Sequence, residues 1–189
     1  MDPKSLDNGK LEALLKKNVF PIVGDIDGKI LNLVQDAFSK LYIQENPPDI
    51  LVLLSSPGGS VKRGLFVYDL LRLYPGKKTA IVVGEASSMG AIILQACDKR
   101  YATENAWILI HNLTNTEIKL DQLRDKAKLE ELLADNEKLQ AKQYAIIAKR
   151  TGKSMEEIRE VFAKDKSMDV SEAVAFGLLD GIWDQPLPK

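Results

Sequence analysis

The stretch GEASSMG (84–90) sets two adjacent serines, Ser87 and Ser88, ahead of a Met-Gly that opens the apolar run AIILQAC. A serine hydroxyl is a weak nucleophile near neutral pH. It attacks a carbonyl only when a neighbouring base takes its proton and positioned donors hold the oxyanion that forms. The chain contains a single histidine, His111, so no other imidazole competes for the role of base. A histidine base needs a carboxylate to fix its tautomer and stabilise the imidazolium. By residue type Asp98, Glu104, Asp165, Asp169 and Asp180 all qualify. The paired glycines of SSPGGSVKRG (55–64) complete the set, because glycine reaches backbone conformations that turn an N–H toward a neighbouring site. Each feature alone has a plainer explanation: either serine as a helix cap, SPGG as a simple turn, His111 as a strand-end residue satisfied by backbone groups.

These residues need elements to hold them, and the hydrophobic pattern supplies candidates. VFPIV (19–23), ILVLL (50–54), TAIVV (79–83) and AWILI (106–110) are short, apolar, rich in branched or aromatic residues, and read as buried strands. GKILNLVQDAFSKLYIQEN (28–46) carries one apolar stripe at helical spacing and is stopped by Pro47 and Pro48, and GLFVYDLLRLY (64–74) repeats the pattern. MGAIILQAC (89–97) reads as a helix, so the serines fall on a tight strand-to-helix turn. Alternating strands and helices predict an α/β domain with parallel strands, whose sites lie at the carboxyl ends of the strands. SPGG, the serine pair and His111 all fall there. Residues 118–150 are densely charged without glycine or proline and read as one long helix that projects or packs on a partner subunit. Thr151-Gly152 ends it, Ser154 to Glu157 fits a capping box for MEEIREVFAK, and SEAVAFG (171–177) reads as a last short helix. No repeat or linker divides the chain, which reads as a single domain over 1–189.

Composition excludes several classes. The 189 residues are 45% hydrophobic and 28% charged with a formal net charge of −1, and no basic block points to nucleic acid or an anionic membrane surface. The single cysteine, Cys97, cannot form an intrachain disulfide and reads as a buried small hydrophobe in a reducing compartment. No ligand-spaced cluster, Walker A motif or GxGxxG is present, so the expectation is chemistry with no cofactor and no metal. MDPKSLDNGK lacks a signal-peptide core and the apolar runs are too short to span a bilayer, which predicts a soluble, cytoplasmic protein.

Four motifs in order, ENPPDILVLLSSPGGSV, GEASSMGA, RYATENAWILIH and KDKSMDVSEAVAFGLLDGI, resemble the Clp protease proteolytic subunits (ClpP), serine peptidases of the crotonase-like fold. The resemblance runs from about Leu11 to Ile182. It implies an α/β fold of repeated β-β-α type units with a projecting long helix, the handle, at 118–150. It also implies Ser88 as nucleophile, His111 as general base, Asp165 as orienting acid, and the backbone N–H groups of Gly59 and Met89 as oxyanion donors. Ser87 is then a structural neighbour. By the same resemblance the substrates are unfolded polypeptides or peptides, the assembly is a homo-oligomeric ring, alone or stacked, and an AAA+ unfoldase is its partner. Two departures mark this chain: NLTNTEIKLDQLRDK follows His111 where the family has a glycine-rich segment beginning Gln-Pro, and lysines 164 and 166 flank Asp165 where arginines are common. Readings kept beside this one are an ATPase-independent relative, stand-alone or virus-encoded, and a non-catalytic ring subunit. A Ser-Lys dyad using Lys119 or Lys126 and a crotonase-type acyl-CoA enzyme rank below them.

Overall fold

A computed structural model describes residues 8–114 and 124–187. Helix α1 (Asn8–Leu15) leads into strand β1 (Val19–Val23), helix α2 (Gly28–Tyr42), strand β2 (Ile50–Ser56) and helix α3 (Val61–Leu73). Strand β3 (Lys78–Ser87), helix α4 (Met89–Leu94) and strands β4 (Lys99–Ala102) and β5 (Trp107–Ile110) follow. The remainder comprises helix α5 (Lys126–Thr151), helix α6 (Met155–Ala163), strand β6 (Lys166–Met168), helix α7 (Val170–Phe176) and strand β7 (Gly181–Ile182). This is a mixed α/β fold. No described helix is long and apolar enough to cross a membrane.

The predicted strands are present, and β1 and most of β2 are buried as the strands of a covered parallel sheet are, whereas Val83 of β3 and Trp107 of β5 are exposed. Strand order is β1-β2-β3-β4-β7, every pair parallel. Helix α2 shows how the pattern becomes packing. The Asp27 carboxylate caps its first turn by accepting the Lys29 and Ile30 N–H groups at 2.8 and 3.0 Å. Ile30, Val34, Ala37 and Leu41 then form a buried face, and a buried Ile, Val or Leu contributes about 1.5–3 kcal/mol. One hydrophobic cluster continues through Phe20, Ile22, Leu54, Met89 and Ile92 to Ile147, Ile158, Phe162 and Val170. The C-terminal helices therefore share the core of the sheet.

Strand β3 is the element that shapes the site. Leu54 pairs with Val82 and Ser56 with Ala86, so two steps along β2 face four along β3. Three residues, Val83 to Glu85, thus oppose the single Ser55, a bulge with two surplus residues in which Gly84 takes φ +83. Below the bulge, residues 79–82 pair with β4. Above it, residues 85–87 pair with β5, also in parallel, and β5 pairs antiparallel with β6.

Several boundaries differ from the sequence reading. Helix α2 ends at Tyr42, well before the prolines, with Ile43 as its C-cap. Helix α5 begins at Lys126, because Asp125 is extended (φ −111, ψ 106) and accepts the N–H groups of Ala127 and Lys128. The expected handle from 118 is thus interrupted at Asp125, and residues 115–123 lie outside the described residues. Its end matches: Gly152 closes α5 at φ 73, and Ser154 and Glu157 form the capping box of α6. Helix α7 is capped by Asp169, two residues before the expected start, and closes on Gly177 at φ 95.

Candidate active site

Ser88 leaves the end of β3 at φ 54, ψ −120, a conformation that costs a non-glycine residue about 1–3 kcal/mol and persists only where the surroundings impose it. Its N–H donates to the Leu109 carbonyl at 2.8 Å, and its own carbonyl accepts the Ala91 and Ile92 N–H groups at 3.0 and 3.3 Å. The backbone is pinned on both sides. Ser88 occupies the N-cap position of α4, yet its hydroxyl makes no capping bond, so the plainest structural duty for this serine is not being performed. Ser87 points elsewhere: it is buried, and its hydroxyl donates to Glu85 Oε2 at 2.7 Å.

Strand register brings His111 to this point, while Asp165 is not among the residues that line the cleft with Ser88 and His111. Ser87 lies beside Leu109 in the β3-β5 ladder, so the chain leaving β5 delivers His111 next to the Ser88 turn. Ile110 faces Lys166 across the antiparallel β5-β6 ladder, and His111 and Asp165 are the next residues of the two chains beyond that pair. Asp165 is exposed, takes φ 47, and is tied to α6 by its N–H to the Phe162 carbonyl at 3.3 Å. Among the described residues no hydrogen bond links the side chains of Ser88, His111 and Asp165. Such bonds commonly tighten only when substrate binds.

The glycine loop closes against the serine turn. A Cβ on Gly58, at φ +104, would lie 2.6 Å from Ser88 Cβ and 2.9 Å from the Ser87 carbonyl oxygen. A Cβ on Gly59, at φ +138, would lie 2.9 Å from the Ile26 backbone. Only glycines let these chains approach so closely. The Gly58 N–H is used, donating to the buried Ser56 hydroxyl at 3.1 Å. The bridge to Ile26 uses the Gly58 carbonyl (2.7 Å) and the Ser60 N–H (3.0 Å), so the Gly59 N–H takes no part in it. Met89 is the first residue of α4, and its N–H has no intrahelical acceptor. Neither the Gly59 nor the Met89 N–H has an acceptor among the described residues; Gly59 lines a cleft with Ser88, and Met89 follows Ser88 in the chain.

The other carboxylates that residue type left open have different work. Asp98 accepts the Lys78 backbone N–H at 2.8 Å and pairs with the buried Lys78 ammonium at 3.1 Å. Asp180 pairs with the buried Arg100 guanidinium at 2.6 Å. Asp169 caps α7, accepting the Glu172 N–H at 2.8 Å. Glu104 precedes β5 and so lies at the far end of that strand from His111. Lys126 projects into solvent and pairs with Glu130 at 3.6 Å, while Lys119 is outside the described residues. Burial pushes the Cys97 thiol up to about 12, which keeps it protonated and unreactive. No group of three or more His, Cys, Asp or Glu side chains converges among the described residues as a metal site would require.

Ser88 and His111 line one cleft of about 570 Å³. Its walls are the glycine loop with Pro57, Gly59 and Lys62, the segment His111 to Thr114, and Leu139 and Gln143 of α5. Sequence reasoning missed this last wall. The segment after His111 is clamped to α5: the Leu113 N–H donates to Gln140 Oε1 at 2.5 Å, and the Tyr144 hydroxyl donates to Asn112 Oδ1 at 2.6 Å. A family model described as Clp protease matches residues 6–186 of the chain.

Proposed function

The chain belongs to the Clp protease family, and from that premise we propose that it is a serine endopeptidase, its 189 residues acting as one peptidase domain. Ser88 is the nucleophile, His111 the general base and Asp165 the acid that orients the imidazole. His111 takes the Ser88 proton as the oxygen attacks a peptide carbonyl, and the N–H groups of Gly59 and Met89 hold the oxyanion. Protonated His111 then gives its proton to the leaving amine, and a water activated by the same imidazole releases the acyl group from Ser88. The observation that carries this reading is the strained Ser88, its hydroxyl free of any capping bond, in one cleft with His111.

The proposal extends to assembly and supply. Exposed Tyr42, Ile43, Phe66 and Leu73 on α2, α3 and their ends are surface that a homo-oligomeric ring would cover. The ring works in the cytoplasm on unfolded polypeptides or peptides, fed by an AAA+ unfoldase. The test is labelling by a serine-directed phosphonate, with sedimentation of the same sample. Wild type is expected to be labelled at Ser88 in a species larger than the 21.0 kDa monomer, and Ser88→Ala is expected to lose the label. Labelling at another serine would remove Ser88 from the role.

A further inference from the structure

The antiparallel ladder of β5 with β6 ends at the pair Ile110–Lys166. His111 and Asp165 come next on the two chains, so contacts outside the ladder hold those chains together there. One is the Phe162 carbonyl near the end of α6, which accepts the Asn112 N–H at 3.2 Å and the Asp165 N–H at 3.3 Å. A single acceptor thus ties the residue after His111 to Asp165. Further contacts come from α5. That helix buries two residues, Gln143 and Ile147, and half-buries Tyr144 between them. The Tyr144 hydroxyl donates to Asn112 Oδ1 at 2.6 Å, while its ring meets the Phe162 ring edge-to-face with centroids 4.9 Å apart. Phe162 is itself buried in the main core, where close packing resists any shift. Burial pushes the Tyr144 phenol above its ordinary pKa, so it stays a donor at any pH where a histidine base works.

We propose that Tyr144 is a positioning residue of the peptidase site, its hydroxyl and ring together setting the separation of the two chains that carry His111 and Asp165. The inference rests on the peptidase reading given above. Tyr144 is not among the residues that line the cleft, so it acts through Asn112 and Phe162 rather than on substrate. A packing role alone would need only the ring, and phenylalanine would serve it. The hydroxyl adds a directed bond to the residue that follows the base, and a displacement of about 1 Å at a reacting group costs about 100-fold in rate. Loosening this link leaves the imidazolium that forms during turnover less closely matched to its carboxylate, and a more distant opposite charge supports the charged form less.

The test compares wild type, Tyr144→Phe and Tyr74→Phe on one fluorogenic peptide across pH. Rates are referred to the sites titrated by a serine-directed phosphonate, so that any unfolded fraction cancels. Tyr74 is the control: it is buried, and its hydroxyl donates to the Pro48 carbonyl at 2.7 Å just before β2, at the end of that strand far from the glycine loop. Tyr144→Phe is expected to lower kcat by about tenfold or more, with KM within about twofold of wild type. The acidic limb of kcat reports the base in the enzyme–substrate complex, and in this variant it is expected at lower pH by about half a unit or more. Tyr74→Phe should change neither. Asn112→Ala removes the acceptor of the same bond and should move the limb the same way, which keeps the proposal falsifiable if Tyr144→Phe fails to fold. An unchanged kcat, a lower kcat with the limb unmoved, or a change confined to KM or melting temperature overturns the proposal, as does the same pair of changes in Tyr74→Phe. Wild type labelled at Ser88 with any of those results defeats the role of Tyr144 alone, while wild type neither labelled nor active defeats the peptidase reading and this proposal with it.

Discussion

At the scale of single residues, the candidate site is defined by what Ser88 does not do. A capping serine has its hydroxyl bonded into the helix, while Ser88 holds a costly backbone conformation and bonds nothing with its side chain. If that conformation is imposed, relieving it stabilises the fold. Ser88→Gly is expected to raise stability by about 1 kcal/mol over Ser88→Ala, about 2–4 °C in melting temperature for a chain of this size. Equal melting temperatures for the two variants would mean that no strain is stored there. Asp165→Asn should lower turnover by about 10³–10⁴-fold, as a wrong tautomer at the base does. Because Asp165 is exposed, the same change should move stability by less than about 0.5 kcal/mol. Normal turnover in that variant would take Asp165 out of the mechanism. The residue types of this site were legible in the chain, since one histidine and one serine pair leave few choices. The choice between Ser87 and Ser88, and among five carboxylates, was not. Residue type leaves it open, and the engagement of Asp98 with Lys78 and of Asp180 with Arg100 is something no local pattern encodes.

Among the elements, β3 decides the most. Its bulge lets one strand serve two neighbours, and the upper half carries the serine turn to β5. The long apolar runs announced β1, β2, β3 and β5, because each contributes apolar residues to the core. Strands β4, β6 and β7 span two to four residues, too short for any period, and exist only because longer neighbours offer them a ladder. The cleft wall on α5 was hidden for a related reason: a helix that is mostly exposed declares its inward face through two residues. Where β2 ends, the glycine loop packs on the serine turn, and Gly58→Ala tests that contact. The added methyl meets Ser88 Cβ at 2.6 Å in a backbone conformation hostile to L side chains. It should cost about 2 kcal/mol or more in stability and at least about 100-fold in kcat/KM through misplacement of the nucleophile. Gly152→Ala is the control, with φ +73 but nothing within 4 Å. It should cost about 1 kcal/mol and leave kcat/KM unchanged. Matching losses of activity in the two variants would show that the loop contact has no special bearing on the site.

Over the whole molecule, the Arg100–Asp180 pair fastens β4 to the turn before β7. The buried guanidinium donates to both Asp180 oxygens, to Gln95 Oε1 at 2.6 Å and to the Gly177 carbonyl at 2.9 Å. Partial burial works to raise the pKa of Asp180, but the guanidinium and the Arg100 backbone N–H outweigh it and hold the carboxyl below its ordinary value. A depressed folded pKa gives stability that is full above the unfolded carboxylate pKa, about 4, and is lost as pH falls through the folded value. Asp180→Asn should therefore cost about 3 kcal/mol near pH 7, by stranding a buried cation. The gap between variant and wild type should hold down to about pH 5 and shrink below about pH 4. A gap independent of pH would show that the carboxylate charge contributes nothing. The antiparallel ladder of β5 with β6 has a consequence in time as well as in space. Ribosomal synthesis delivers Ser88 and His111 long before Asp165, and Asp165 gains its place at the end of that ladder only when residues 166–168 zip onto 108–110. By the roles proposed above, a nascent chain holds Ser88 and His111 without Asp165 until its last elements have folded.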